Sequence, residues 1–124
     1  MPKIDIAKVP VDTATGYPAP FNKAVEGRSR KRLGRAAGLN QFGVNICTLK
    51  PGAASSQRHW HEHEDEFVYV LEGEVVLCED DGETVLKPGD AAAWKAGWLG
   101  VMSRSRSGPS TATPSAAAVK AAKA

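Results

Sequence analysis

Residues 41–95 consist of short strand-like runs, most of them closed by a turn containing glycine or proline, and this punctuation is the tightest constraint on the fold. Residues 41–50 set Phe42, Val44 and Ile46 on one side and Gly43, Asn45 and Cys47 on the other, the pattern of a half-buried strand. Pro51-Gly52 ends that run, and further strands are expected at 57–63, 66–71, 74–79 and 83–87. Glu72-Gly73 and Asp80-Asp81-Gly82 supply turns between them, and Pro88-Gly89-Asp90 precedes a last run at 91–95. Many short strands with no long amphipathic helix predict an all-β sandwich or barrel.

A chain of 124 residues, 42% of them hydrophobic, has material for one small domain. Pro2, Pro10, Pro18 and Pro20 make residues 1–26 an extended arm or edge strand on its surface, since proline lacks the amide donor. The barrel domain is expected over 27–97. After Gly97 the composition shifts to Ser, Gly and Pro and then to Ala and Lys, with no alternation. Such a segment buries too little apolar surface to offset about 1–2 kcal/mol of backbone entropy per residue, so 98–124 reads as a low-complexity, disordered tail. Charge divides at the same place: residues 1–97 hold 12 Lys/Arg against 14 Asp/Glu, whereas 98–124 hold Arg104, Arg106, Lys120 and Lys123 and no acid. Cys47 and Cys78 form no CxxC pair and read as small apolar residues within strands. The opening run carries Lys3, Asp5 and Lys8, and no window reaches eighteen apolar residues, which places the expectation at a soluble, cytoplasmic protein.

The chemistry is concentrated in one place. His59, His61 and His63 are the three histidines of the chain, and Glu66 follows them closely. Residues two apart on a strand share a face, so His59 and His61 can aim at one point inside a barrel, with Glu66 folded back toward them by a turn at Glu64-Asp65. Two imidazoles and a carboxylate leave coordination positions open and suit Fe, Mn, Zn, Ni or Cu as divalent ions. The competing reading is a solvated polar run. Trp60 and the apolar FVYVL after Glu66 favour the barrel wall. His63 is expected beside the site or on the surface rather than among the ligands. No HExxH occurs.

Gly52, six residues, His59-x-His61, four residues, Glu66, six residues, Gly73 resembles the first signature of the cupin superfamily, and over residues 28–97 the chain is similar to small single-domain bacterial cupins. The family pattern has five residues between the leading glycine and the first histidine; the later spacings agree. The resemblance implies a double-stranded β-helix (jelly-roll) barrel that binds a divalent metal through His59, His61 and Glu66. The family's second signature is matched by Gly89 and Gly97, but Lys95 stands where it has proline, and no histidine follows His63 to complete the ligand set. The departure coincides with the change of composition, so the barrel is expected to lack its last strands. That would expose Val68, Val70 and Trp94 and favour a homodimer. A change of reading frame near Gly97 would account for both features. Trp98 and Met102 have single codons, and a frame one nucleotide earlier can read valine, alanine, arginine, glycine, histidine.

Function on this reading is a metal-dependent oxygenase or isomerase acting on a sugar derivative or organic acid, with no catalytic residue assigned. The alternatives are a non-catalytic module for a small ligand or metal, and a truncated cupin with a weakened site. The basic run Arg28, Arg30, Lys31, Arg32 and Arg35 could suggest nucleic acid, but its alternation reads as a solvated strand edge. A small-molecule ligand is therefore expected, and neither nucleic acid nor membrane.

Overall fold

The structure is a computed structural model that describes residues 3–15, 18–54, 64–79, 82–96, 102–105 and 116–123. It is all-β, as the turn punctuation predicts, with nine strands among the described residues: β1 (Val11–Asp12), β2 (Arg28–Arg32), β3 (Phe42–Leu49), β4 (Glu66–Glu72), β5 (Val75–Glu79), β6 (Gly82–Leu86), β7 (Ala91–Trp94), β8 (Met102–Ser105) and β9 (Ala116–Lys123). One helical turn, α1 (Leu33–Ala36), and two 3-10 turns, Ile6–Lys8 and Phe21–Val25, complete the elements. None of these helices is long and apolar enough to cross a membrane.

The strands form two antiparallel sheets, one of six in the order β1-β2-β3-β9-β4-β7 and one of three in the order β6-β5-β8. Alternation decides which side of each strand is buried. In β4, Val68 and Val70 turn inward and are almost completely buried, while Phe67, Tyr69 and Leu71 turn outward and stay exposed. Val75 and Leu77 of β5 and Leu86 of β6 meet those valines from the second sheet, and Ala116 and Ala118 of β9 close the cluster. Phe67 and Tyr69, on the outward face, are each about 40% exposed.

Turns lie at Pro51-Gly52, Gly73 and Pro88-Gly89 as expected, whereas Asp80 and Asp81 lie outside the described residues and Gly82 opens β6. Gly73 (φ 68°) links β4 to β5 and Gly89 (φ 92°) lies between β6 and β7, both in the left-handed region that glycine tolerates best. Asp90 is the turn residue it resembles in sequence, its carboxylate accepting the Lys87 N–H at 2.9 Å. The second turn is also stitched to β4, since the Gly89 N–H donates to the Val70 carbonyl and the Val70 N–H to the Asp90 carbonyl. The arm over 1–26 does supply an edge strand, β1 on β2, but it also carries the two 3-10 turns and buries Val9 and Val25.

Three expectations need correction. The disorder expected over 98–124 does not extend to 102–105, which pair with β5, or to 116–123, which lie between β3 and β4 and pair with both. Alanine has weak strand preference of its own, but β3 and β4 each present a row of backbone donors and acceptors, and a strand of methyl side chains fits between them without crowding the core. It follows that Val68 and Val70, expected to be exposed by missing strands, are covered, and Trp94 is half-buried against the same core. The third correction concerns β2, which is flanked by β1 and β3 and is not a sheet edge. Its arginines turn inward: Arg28 is buried, and Arg30 and Arg32 are half-buried.

Candidate functional site at the open end of the large sheet

The face of the large sheet that carries the core continues past it toward the start of β4. Register places Glu66 beside Trp94 of β7 and Ala122 of β9, two residues along from the buried Val68. Parity therefore puts the Glu66 side chain on the core side, half-buried. Its position is fixed by its neighbour, because Asp65 Oδ1 accepts the Ala96 N–H at 2.7 Å and so ties the entry of β4 to the exit of β7.

Two adjoining cavities open here. The larger, about 450 Å³, is bounded by Phe42, Asp65, Glu66, Trp94 and Lys95, and its size lies in the range of small-molecule sites. The smaller, about 150 Å³ and more enclosed, shares Glu66 and Trp94 but reaches Lys120 of β9, Asn45 and Cys47 of β3 and Arg30 of β2, farther across the same sheet. Lys95, which stands in place of the second signature's proline, thus lies at the rim of the site.

The basic wall is organised by one carboxylate. Asp12 Oδ2 lies 3.0 Å from both Nε and Nη2 of Arg32, and Oδ1 accepts the Ala14 N–H at 2.9 Å. The Ala14 amide first, and then Arg32 and Arg30, hold the Asp12 carboxyl below its ordinary value against an opposing effect of burial. Arg28 Nη2 donates to the Ala14 carbonyl at 3.1 Å. Arg30 is served less well: Nη2 is 3.5 Å from the same carbonyl and 3.9 Å from Asp12 Oδ2, and its buried Nε has no acceptor among the described residues. Burial, followed by repulsion from Arg28 and Arg32, lowers the pKa of Arg30, although guanidinium remains cationic across any ordinary pH. A buried donor left without a partner costs about 1–3 kcal/mol, and more when charged, so this atom asks for an explanation.

Cys47 closes the floor of the smaller cavity. Burial pushes its thiol up, with Lys120, Arg28 and Arg30 pulling in the other direction. The net result is a neutral thiol, which is a poor nucleophile and a poor metal ligand. Both cysteines are free, and Cys47 packs as the small apolar residue the sequence suggests.

Of the three expected metal ligands, the structure places Glu66. His59 and His61, and His63 with them, lie outside the described residues. Among the described residues no three His, Cys, Asp or Glu side chains are gathered to hold a metal. An inward carboxylate at the edge of a cavity suits a metal ligand, and the imidazole contribution rests on the sequence alone. What the sequence reading missed is the basic wall on β2. The alternation of Arg28, Arg30 and Arg32 was visible, but which side of the strand faced water was not.

Residues 45–99 match the family model described as Cupin domain. The crystal structure of a sugar phosphate isomerase of the cupin superfamily from Silicibacter pomeroyi superposes with a TM-score of 0.91 at 41% identity, covering 98% of this chain and 75% of that one. The chain belongs to the cupin superfamily. A protein of Acidithiobacillus ferrooxidans for which the isomerase name is provisional gives a TM-score of 0.70 at 28% identity, covering 78% of this chain and 59% of its own. The polyketide cyclase RemF of Streptomyces resistomycificus, at 17% identity and a TM-score of 0.75 over 99% of this chain and 78% of its own, shares the fold alone. Among curated proteins there is no match.

Proposed function

We propose that this cupin takes a small polar metabolite, a sugar derivative or an organic acid, into the cavity between Glu66 and Trp94, next to a divalent metal held by His59, His61 and Glu66. The observation that carries the reading is the position of Glu66: the acid of the first signature faces the core side of the sheet and borders both cavities. A metal there would supply Lewis acidity to an oxygen of the bound molecule. The chain's own residues supply the rest, with Trp94 as an apolar wall and the Asp65–Ala96 hydrogen bond keeping Glu66 in place. The isomerase name of the Silicibacter pomeroyi relative favours a sugar phosphate as the metabolite and isomerisation as the reaction.

Elemental analysis of protein purified without a histidine tag tests the metal. The expected outcome is bound divalent metal in the native chain and its loss in His59→Ala and Glu66→Ala, since removing a ligand should weaken binding by at least the roughly 10–100-fold that second-sphere changes produce. A native chain that holds no metal even after reconstitution defeats the reading.

The second reading is a non-catalytic binding module, or a cupin with a weakened site, and it is favoured by the absence of any histidine after His63. Metal-dependent turnover in a screen of sugar phosphates and organic acids selects the enzyme. Stabilisation by ligand without turnover selects the module.

A further inference from the structure

We propose that the enclosed cavity carries an oxyanion subsite built on Arg30, which takes the phosphate or carboxylate group of the metabolite while the rest of the molecule extends toward Glu66. The inference deepens the small-metabolite reading above by naming the charged group that the cavity recognises and the residue that recognises it. It does not require the metal.

The three inward arginines of β2 are not equivalent. Arg32 has its own carboxylate, with two nitrogens each 3.0 Å from Asp12 Oδ2. Arg28 is buried and donates to the Ala14 carbonyl at 3.1 Å. Arg30, between them, is left with contacts of 3.5 and 3.9 Å and a buried Nε with no acceptor among the described residues. It is also the arginine of the row that borders the enclosed cavity. A guanidinium this weakly partnered at the border of a cavity is suited to an oxyanion, because its planar fork matches two oxygens at once.

The rest of the wall fits the same ligand. β-Register sets Arg30 opposite Cys47 and, one pair along, Arg32 opposite Asn45, which in turn pairs with Lys120. Asn45 and Lys120 border the cavity with Arg30, so a hydrogen-bonding amide and a second cation are directed at the same space. The positive charges of Lys120, Arg28 and Arg30 are all felt at the Cys47 thiol on the cavity floor. Against them, Glu66 is the acid that borders the cavity. The site is therefore polarised from Arg30 on β2 to Glu66 on β4, with Lys120 between them on β9, and in a partly enclosed space such a field is screened less than at an open surface. A short molecule with an anionic group at one end and hydroxyl or carbonyl oxygens at the other matches that polarity.

The experiment titrates inorganic phosphate and, separately, acetate into the full chain as purified and again after chelation, at ionic strength held constant with NaCl, with binding read by calorimetry. Saturable binding of at least one anion is expected, weakened at least tenfold in Arg30→Gln, less in Arg30→Lys, and unchanged in the exposed Arg35→Gln. Preference for phosphate assigns a phosphorylated metabolite, and preference for acetate assigns a carboxylate. No saturable binding of either, or equal binding by Arg30→Gln and the native chain, overturns the proposal. Should Arg30→Gln fail to fold by circular dichroism, the native chain decides through its thiols. The bound anion should slow alkylation of Cys47 saturably and leave Cys78 unaffected, and a Cys47 rate indifferent to the anion overturns the proposal. Because the Arg30 dependence is read with and without chelation, its failure is distinct from a failure to find metal.

Discussion

Strands β4 and β9 are hydrogen-bonded neighbours in one sheet and bury the same core, yet they are strands for different reasons. β4 reads EFVYVLE, where β-branched and aromatic residues favour the extended state and inward valines alternate with outward side chains. β9 reads AAAVKAAK, built mainly from the residue with the strongest helix preference. What holds β9 extended is its place: β3 pairs with it from Phe42 to Leu49, and β4 pairs with it on the other side, with a register irregularity between Val70 and Glu72. The lesson is that a central strand can be specified by its own side chains or by the unpaired backbone of the strands around it.

The largest expected effect comes from removing the second kind of strand altogether. Deleting residues 116–124 strips one hydrogen-bonding edge from each of β3 and β4 and uncovers Val68, Val70, Cys47 and Leu49. The shortened chain is expected to lose its cooperative thermal transition and to self-associate, as read by circular dichroism and light scattering. A shortened chain that melts as sharply as the full one would show that β9 adds nothing and would break the comparison.

Point changes sharpen it. Val70→Ala removes methyl groups from a side chain with no exposed surface and should cost about 2–3 kcal/mol in urea unfolding. Ala118→Val adds methyl groups opposite it, at a buried position paired with Val70, and should cost about 1–3 kcal/mol through overpacking. If Ala118→Val stabilises the protein instead, the β9 side of the core is loosely filled, and the alanines are there for want of better residues rather than for fit.

The same contrast separates what could be read in the sequence from what could not. Strands β3 to β7 were legible to within a residue or two, because turn residues bracket most of the runs and in β3 the two faces also differ in polarity; the strand expected at 57–63 lies outside the described residues. Glu66 shares the parity of Val68 and Val70, and burial of those two valines, not polarity along β4, shows which face is the inner one. β9 was not, because alanine on both faces leaves no period-2 contrast. The arginine wall fell between these cases. Alternation showed that Arg28, Arg30 and Arg32 share a face, but β2 alone carries too few apolar residues to reveal that this face is the inner one. That depends on β1 covering its edge and on Asp12 arriving to neutralise Arg32. The pair His59 and His61 was singled out by spacing and lies outside the described residues, so of the expected ligands only the position of Glu66 can be compared.

The smallest expected effect uses Cys47, which pairs with Ala118 across the β3–β9 ladder and so reports whether β9 stays in place. Burial raises the Cys47 pKa in the folded chain, so the folded state retains a proton that the unfolded chain releases near the ordinary thiol value of about 8.5. The stability tied to that proton is fully present below this pH and is lost as pH rises through the higher folded value. Urea unfolding from pH 7 to 10 should therefore show a fall in stability above about pH 8.5 that is smaller in Cys47→Ala. At neutral pH, Cys47 should react with a thiol reagent more slowly than the half-buried Cys78. Ala118→Gly, which weakens a strand by roughly 0.5–1 kcal/mol, should speed Cys47 labelling by about two- to fivefold if β9 opens as a unit while leaving the β5 thiol unchanged. Equal acceleration at both cysteines would mean that labelling reads global unfolding, and β9 would then share the stability of β4 in spite of its composition.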